Sequence, residues 1–355
     1  MKRHVLRWLM IGGMFSCACA HGERTEVIVR NAAELRDALK LLRDDTTLKL
    51  AAAEYGGGYA VANRRGLHIA ALDPAQKPTF TGGNQAWHFS RCPGLQVAHL
   101  KISGQKHNGL NIDDGGDRNQ RVKGIVLRDL EVSDIGPVGN FDGIKCSGLE
   151  DLLIEDCRIH GWGGQGIDFV GCHRAQIRRC HLQGKAGFSA TAGIQLKGGT
   201  ADVVVETCSF QNASARPLNI GGSTGLEFFR PPDAQAEAMR IIVRQNRIEG
   251  SECAAAFVGV DGCEFSHNQI LQPQKWIFRI LQETRAPGFV PCRRVTIHHN
   301  KIEFQRAKVR TELNIGDATA ADTFVFHDNH WTASDKPQES RPQLPVKETD
   351  GRYGP

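Results

Sequence analysis

The chain has 355 residues, and its 44 lysines and arginines against 39 aspartates and glutamates give a formal net charge of +5 at pH 7. Three of those cations, Lys2, Arg3 and Arg7, lie in the first twenty residues, so the remainder carries 41 basic and 39 acidic groups, a net charge of +2. This near-neutral balance lacks the basic excess of a nucleic-acid-binding protein, and we expect no nucleic-acid partner.

The N-terminus has the pattern of a secretory signal peptide over residues 1–20. A positively charged start is followed by an apolar run (8–15) and by the small-residue cleavage motif Ala-Cys-Ala (18–20). The run is too short to span a bilayer, so we predict a secreted or periplasmic protein whose first mature residue is His21. The alternative is a lipoprotein anchored at Cys17. No later apolar run is long enough for a membrane span.

The first predicted elements are a strand at Thr25–Arg30 and an amphipathic helix over residues 31–42. Asn31 is suited to the N-cap position, and Glu34 follows three residues later, which is a capping-box pattern. A repeat protein needs its first coil covered, and this helix is the candidate cover.

From residue 97 onward the chain repeats the pattern apolar-x-x-(Leu/Cys/Asn)-x-apolar nine times. The two copies with the tightest spacing are 22 residues apart, from Asn246 to Asn268. The central residues of the nine copies are Leu100, Leu130, Cys157, Cys180, Cys208, Asn246, Asn268, Asn300 and Asn329. We interpret this pattern as one half-buried strand of each repeat, with like residues stacked as ladders in the interior.

A second alternating segment, such as Gly-Ile-Gln-Leu-Lys-Gly (193–198), precedes most copies. Two or three short strands in about 22 residues fit one coil of a parallel β-helix, whereas a four-strand propeller blade needs about 40 residues. We therefore predict an all-β fold: a single-stranded parallel β-helix with loop insertions over residues 21–332, capped by the N-terminal helix. Residues 333–355 are polar, and we predict a disordered tail.

Nine cysteines remain after the signal peptide, an odd number for an exported protein. Cys157, Cys180 and Cys208 fall in the ladder, where we expect buried thiols. The sequence leaves open whether other cysteines form a disulfide.

The outward positions of the second alternating segment carry most of the candidate functional residues. Stacked coils bring such positions within about 5 to 10 Å of one another, and a groove of amides and charges suits a sugar chain. A polar solenoid exterior explains each residue singly, so the prediction depends on the cluster. Its members are Asn111, Asp113, Asp142, Lys145, Asp168, Gln195, Lys197, Arg216 and Asn219.

Asp113, Asp114 and Asp142 offer hard oxygen ligands, from which we predict a candidate Ca²⁺ site. Solvated turn aspartates are the alternative explanation.

The repeat resembles the pectate-lyase-like right-handed parallel β-helix superfamily over residues 27–332, especially the alginate lyase and chondroitinase B group. The resemblance implies a right-handed coil, a lysine base in an I-x-x-K-S-S type strand, an arginine on the next coil, and calcium at the substrate carboxylate. Ile194-Gln-Leu-Lys197-Gly-Gly matches the lysine strand with Gly for Ser. Gly221 stands at the arginine position, so Arg216 or Arg230 is expected to replace it.

These observations predict a polysaccharide lyase that acts by β-elimination on an anionic, uronate-containing polymer. Such a reaction needs the carboxylate neutralised and the adjacent proton removed by a base. We predict Lys197, Arg216 and Lys145 as catalytic residues, and we expect the neighbouring cations to lower the pKa of Lys197. The predicted substrate-binding residues are Asn111, Asp168, Gln195, Asn219 and Arg230.

Two other functions remain open from the sequence. Asp142 and Asp168 could form the paired carboxylates of a glycoside hydrolase. The other is a non-catalytic polysaccharide-binding solenoid, which would need neither a lyase base nor the paired carboxylates of a hydrolase. In each case we expect a monomer.

Overall fold

A computed structural model describes residues 24–355, and the predicted signal peptide and Cys17 lie outside this range. The chain passes in turn through three parallel sheets, and each strand pairs with the equivalent strand of the neighbouring coil. We call them sheet 1, sheet 2 and sheet 3. The predicted parallel β-helix is therefore confirmed.

The strands are numbered in order along the chain, whichever sheet they belong to. Sheet 1 contains β1 (Thr25–Val29), β2 (Thr46–Leu50), β5 (His68–Ala71), β8 (Gln96–Ala98), β11 (Val122–Arg128), β14 (Leu149–Glu155), β17 (His173–Arg178), β20 (Thr200–Glu206), β23 (Ala238–Arg244), β26 (Val260–Ser266), β29 (Arg293–His298) and β32 (Val325–His327). Sheet 2 contains β4 (Tyr59–Ala62), β7 (Trp87–Ser90), β10 (Leu110–Asp113), β13 (Ile144–Ser147), β16 (Gln165–Val170), β19 (Ala192–Lys197), β22 (Arg216–Gly221), β25 (Ala255–Val258), β28 (Phe278–Leu281) and β31 (Leu313–Ile315). Sheet 3 contains β3 (Glu54–Gly56), β6 (Thr79–Thr81), β9 (Lys101–Ser103), β12 (Glu131–Ile135), β15 (Arg158–Trp162), β18 (His181–Gln183), β21 (Ser209–Gln211), β24 (Arg247–Glu249), β27 (Gln269–Leu271), β30 (Lys301–Phe304), β33 (His330–Ala333) and β34 (Arg352–Tyr353). Three short 3₁₀ helices span Leu226–Phe228, Ala321–Thr323 and Pro337–Glu339.

The ninefold pattern is a corner between two sheets, and its interpretation as one strand is wrong. In the copy around Asn246, Val243 lies in β23 of sheet 1 and Ile248 lies in β24 of sheet 3. Gln245 between them has φ 57°, a left-handed conformation that turns the chain. Both apolar residues still face the interior, which is why the pattern looks continuous in the sequence.

The central residues of these corners form the predicted interior ladder. Asn268 Oδ1 accepts hydrogen bonds from Asn246 N and Nδ2, both at 3.0 Å, and Asn300 and Asn329 repeat the arrangement on the next coils. Each buried amide is thus paired, as a buried polar group must be. In earlier coils the same column holds buried cysteine thiols, and all nine cysteines in residues 24–355 are free.

The predicted cap helix is present as α1 (Ala32–Lys40). Asn31 Oδ1 accepts hydrogen bonds from Ala33 N and Glu34 N, both at 3.0 Å, so two backbone donors of the first turn are satisfied. Leu35 is fully buried against the first coils, and the helix covers their apolar end.

The prediction of a disordered C-terminal tail is wrong. Residues 334–355 fold over the last coil, and β34 adds to the edge of sheet 3 beside β33. Glu348 is buried and accepts hydrogen bonds from Asn329 Nδ2 at 2.8 Å and Trp331 Nε1 at 2.9 Å. A polar composition therefore does not mark disorder here, because the tail supplies the acceptors that the last coil needs. No helix within residues 24–355 is both long and apolar enough to cross a membrane.

Candidate functional site

A cleft of about 550 Å³ lies on the outer face of sheet 2, along β16, β19, β22 and β28. One outward column of the sheet runs in register through Asp168, Gln195, Asn219, Ala256 and Arg279. Ala256 is fully buried in this column and does not line the cleft. The full lining is Asn140, Gln165, Ser189, Ala190, Thr191, Gln195, Lys197, Ala215, Arg216, Asn219, Ser223, Glu252, Arg279 and Glu283.

A network of two lysines and two aspartates lies beside the cleft. Asp168 Oδ1 is 3.1 Å from Lys197 Nζ, and Asp168 Oδ2 is 2.6 Å from Lys145 Nζ. Lys145 also donates to Asp142 Oδ2 at 3.0 Å, while Asp142 Oδ1 accepts from Gln165 N at 2.9 Å. Both carboxylates are fully buried, so the lysines separate them from solvent.

Burial, mutual repulsion and the neighbouring lysines together give Asp142 and Asp168 different pKa values. Burial, and then the negative charge of Asp168, raises the pKa of Asp142 to about 6. Burial alone would raise the pKa of Asp168, but Lys197 and Lys145 outweigh it, and the net pKa is lowered. Burial alone would lower the pKa of Lys145, yet Asp168 and Asp142 raise it. Lys145 is therefore a fixed cation, which argues against the predicted role as a base.

The predicted pair Lys197 and Arg216 lines the same cleft. Lys197 forms an ion pair with the carboxylate of Asp168. Asp168 was predicted to lie in the groove, but not to be the counter-ion of Lys197. Arg216 Nη1 lies 3.6 Å from Glu283 Oε1 and 3.4 Å from Asn219 Oδ1.

Arg279, Glu252 and Glu283 also line the cleft and were not predicted from the sequence. Arg279 lies on β28, where Phe-Arg-Ile-Leu has the same alternation as the other sheet 2 strands. That alternation was the available signal, but no glycine or proline marks the start of the strand. Burial, followed by the charge of Arg216, lowers the pKa of Arg279. The cleft thus holds three cations (with Lys197 and Arg216) and two carboxylates.

Arg230 is not in the cleft. Its guanidinium is buried against Asp114, with Nε 2.5 Å from Oδ2 and Nη2 3.1 Å from Oδ1. This pair ties the 223–239 loop to a coil 116 residues earlier in the chain. Arg230 therefore holds the loop and, contrary to the expectation from the sequence, does not line the cleft.

The three aspartates proposed for Ca²⁺ do not converge. Asp113 Oδ2 is 2.6 Å from His88 Nε2, Asp114 is taken up by Arg230, and Asp142 by Lys145. Among residues 24–355 they form no group with ligand atoms close enough to share one ion. Asn111 donates to Asp113 Oδ2 at 3.3 Å, on a coil outside the cleft.

Comparison with solved structures shows the same fold in enzymes that act on carbohydrates. The structure is similar to alginate lyase from Paenibacillus sp. str. FPU-7, with 15% identity and a TM-score of 0.51 over 83% of this chain and 96% of that one. A mannuronic acid specific polysaccharide family 6 lyase from human gut microbiota has 13% identity and a TM-score of 0.51, over 87% and 88% of the two chains. GH136 lacto-N-biosidase from Eubacterium ramulus has 12% identity and a TM-score of 0.56, over 93% and 68%.

At identities this low, the structural similarity establishes the fold only, and the activity must be argued from the site. No curated protein matches the sequence. Residues 87–270, more than half of the 355, match the family described as "Right handed beta helix region". The chain therefore belongs to the right-handed β-helix family, as the resemblance implied.

Proposed function

We propose that this protein is a polysaccharide lyase acting by β-elimination on an anionic, uronate-containing polymer. The observation that carries the proposal is the convergence of Lys197, Arg216 and Arg279 in one open cleft with the amides of Gln195 and Asn219. Cations suit the carboxylates of such a polymer, and amides suit its hydroxyl groups. The fold shared with two lyases of uronate polymers adds support.

In this proposal the substrate carboxylate is held by Arg216 and Arg279. Their positive charge stabilises the negative charge that develops when the proton on the adjacent carbon is removed. Lys197 accepts that proton in its uncharged form, a carbon–carbon double bond forms, and the bond to the leaving oxygen breaks. The leaving oxygen takes a proton from solvent.

Lys145 has a supporting role in this mechanism. Asp168 carries two ammonium partners, and Lys145 alone can neutralise it when Lys197 is uncharged. A buried carboxylate without any partner would be costly, so Lys145 keeps Asp168 paired while Lys197 acts on the substrate.

Hydrolysis by Asp142 and Asp168 is the second candidate. In its favour, a raised pKa beside a lowered one is the pattern of an acid paired with a base. Against it, both side chains are fully buried under Lys145 and Lys197, so a sugar could touch them only after the lysines moved.

Product chemistry tests the proposal. The purified protein is incubated with alginate, pectate and glycosaminoglycans, each with added Ca²⁺ or with a chelator. A lyase yields an unsaturated uronate that absorbs near the ultraviolet edge, whereas a hydrolase yields new reducing ends without that absorbance. Reducing ends alone would favour hydrolysis, and measurable binding without either product would favour a binding solenoid. Loss of activity in chelator, restored by added Ca²⁺, would show that the reaction needs the cation that the resemblance to alginate lyases implies.

A further inference from the structure

Four histidines gather on the outer face of sheet 1, at the last coils of the solenoid and away from the cleft on sheet 2. His298 and His327 are register partners on β29 and β32. His267 and His299 occupy the left-handed turn position that follows the strand, with φ 56° and 54°. Asp328 takes the same turn position on the last coil, with φ 55°.

The ring nitrogens of this group face one another. His298 Nδ1 lies 2.9 Å from His299 Nδ1, and the rings of His298 and His327 stack at 4.7 Å. His327 Nδ1 lies 2.8 Å from Asp328 Oδ2, and that oxygen is 3.9 Å from His299 Nε2. One ligand atom from each of His298, His299 and His327 lies within 4.8 Å of the others, and within residues 24–355 no other three such side chains meet this condition.

The rest of the same outward column is built differently. Going up the sheet, it alternates Arg128, Glu155, Arg178, Glu206 and Arg244. Glu155 forms ion pairs with Arg128 and Arg178, and Glu206 forms one with Arg244. From Ser266 onward this alternation stops. Each charge of the ladder has an opposite charge beside it. His298 Nε2 lies 3.5 Å from Glu264 Oε1 of the preceding coil, but His298 also contacts the imidazoles of His299 and His327. Pairing with Glu264 therefore does not explain why the three imidazoles face one another.

We propose that His298, His299 and His327 bind one divalent first-row transition-metal ion, with Zn²⁺ as the reference ion. Imidazole nitrogen is a preferred ligand of such ions. A tetrahedral Zn²⁺ with bonds of about 2.0–2.1 Å holds its ligand atoms about 3.3 Å apart. The rings of His298 and His327 stack at an interplanar angle of 9°, so one of them must rotate about its side-chain bonds for both lone pairs to point at one ion. Asp328 either completes the coordination or accepts a hydrogen bond from a ligand imidazole.

The site is open to an incoming ion and joins two coils. The exposed fractions of the side chains are 17% for His298, 48% for His299 and 32% for His327. Because two ligands come from the coil of β29 and one from the coil of β32, a bound ion links the last two coils. Binding to the folded state alone then raises the stability of the C-terminal end of the solenoid. This site is independent of the proposed lyase activity.

The test uses tag-free protein, because a histidine tag would bind the same ions. The protein is treated with chelator, titrated with ZnCl₂ by calorimetry at about pH 7.5, where imidazoles are largely uncharged, and assayed for retained zinc after dialysis. We expect one equivalent of zinc and a higher melting temperature with the metal. Binding of no zinc would overturn the proposal.

Two variants locate the site with substitutions that the same columns already tolerate. His299→Gln places at the turn the residue found at position 245, and His327→Ser the residue found at position 266. Each should weaken zinc binding at least tenfold and remove the metal-dependent rise in melting temperature. Asp328→Asn should weaken binding about tenfold.

The matched control is His160→Gln. His160 occupies an outward strand position on sheet 3, in register with Gln183 of the next coil. It should bind zinc like the wild type. Unchanged zinc affinity in both His299→Gln and His327→Ser would overturn the proposal.

Discussion

At the scale of single residues, the two arginines of the cleft differ in the protein groups that they already contact. Arg216 is close to Glu283 and Asn219. Arg279 donates from Nε to Asn314 Oδ1 at 3.0 Å and stacks on the Trp276 ring, and no carboxylate in residues 24–355 forms an ion pair with it. Arg279 is therefore the cation whose charge is most available to a bound anion.

The first prediction concerns Arg279→Gln. Because Arg279 holds the substrate carboxylate and stabilises the negative charge that develops on it, loss of Arg279 should lower kcat/KM. A hydrogen bond to a charged group contributes about 1.5–3 kcal/mol, so we expect kcat/KM to fall about 10- to 100-fold in steady-state kinetics. Arg293→Gln, on sheet 1 beside Asp261, is the control. Equal kcat/KM values for the two variants would show that Arg279 does not bind the substrate.

The site residues that could be predicted from the sequence are those that follow the alternation of a strand and the repeat of the coils. Lys197, Gln195 and Asn219 were predicted to share a groove because alternation fixes the face and stacking fixes the neighbour. Arg230 could not be placed this way. Its partner Asp114 is 116 residues away, and loop docking of this kind has no sequence period.

At the scale of elements, one carboxylate holds three arginines from neighbouring coils of sheet 1. Glu155 Oε1 is 2.5 Å from Arg128 Nη2, and Oε2 is 2.8 Å from Arg178 Nη2 and 2.5 Å from Arg179 Nη2. Burial alone would raise the pKa of Glu155, but the three arginines outweigh it and lower the pKa to about 2.

The second prediction is that Glu155→Gln destabilises the fold by about 1–3 kcal/mol at pH 7, since hydrogen bonds to a charged group are lost. A carboxylate with a lowered pKa contributes stability that is complete above its unfolded pKa, near 4.5, and is lost as pH falls toward about 2. In urea unfolding, the gap between wild type and variant should therefore narrow from about pH 7 to about pH 3. Glu249→Gln, in an exposed pair with Arg247, should cost less than about 1 kcal/mol. A gap that does not change with pH would show that Glu155 is not the titrating group.

The corners show why strand bounds were harder to predict than the repeat itself. Gln245 and His299 adopt left-handed backbone conformations although neither is glycine. Residues with side chains mark such a turn only weakly, because the strain is offset by the buried residues on both sides of the corner. The sequence therefore shows the period of the coil but does not show the residue at which the chain changes from one sheet to the next.

At the scale of the whole molecule, the solenoid is closed at both described ends. Helix α1 was predictable, because a capping pattern is local. The C-terminal cover was not, because it depends on Glu348 accepting hydrogen bonds from Asn329 and Trp331, which are buried in the last coil.

The third prediction is that Glu348→Ala destabilises the protein by about 2–4 kcal/mol. The substitution removes a shared acceptor and leaves the Trp331 donor buried without its partner. Glu339→Ala, in an exposed pair with Lys336, is the matched control and should have little effect. Thermal unfolding of the three proteins measures this, and equal melting temperatures would show that the tail does not cover the last coil.

The central claim is that Lys197 removes a proton from a uronate bound in the cleft, and the most direct measurement compares three proteins on the polymer that the screen identifies. These are the wild type, Lys197→Gln and the control Lys301→Gln, whose lysine is exposed on β30 of sheet 3. The observable is the rate at which ultraviolet-absorbing unsaturated product forms. Melting temperatures are recorded in parallel to establish that each variant is folded.

Loss of a general base costs about 10² to 10⁴ in rate, so folded Lys197→Gln should fall by that factor. Lys301→Gln should match the wild type. Folded Lys197→Gln that forms unsaturated product at the wild-type rate would contradict the account.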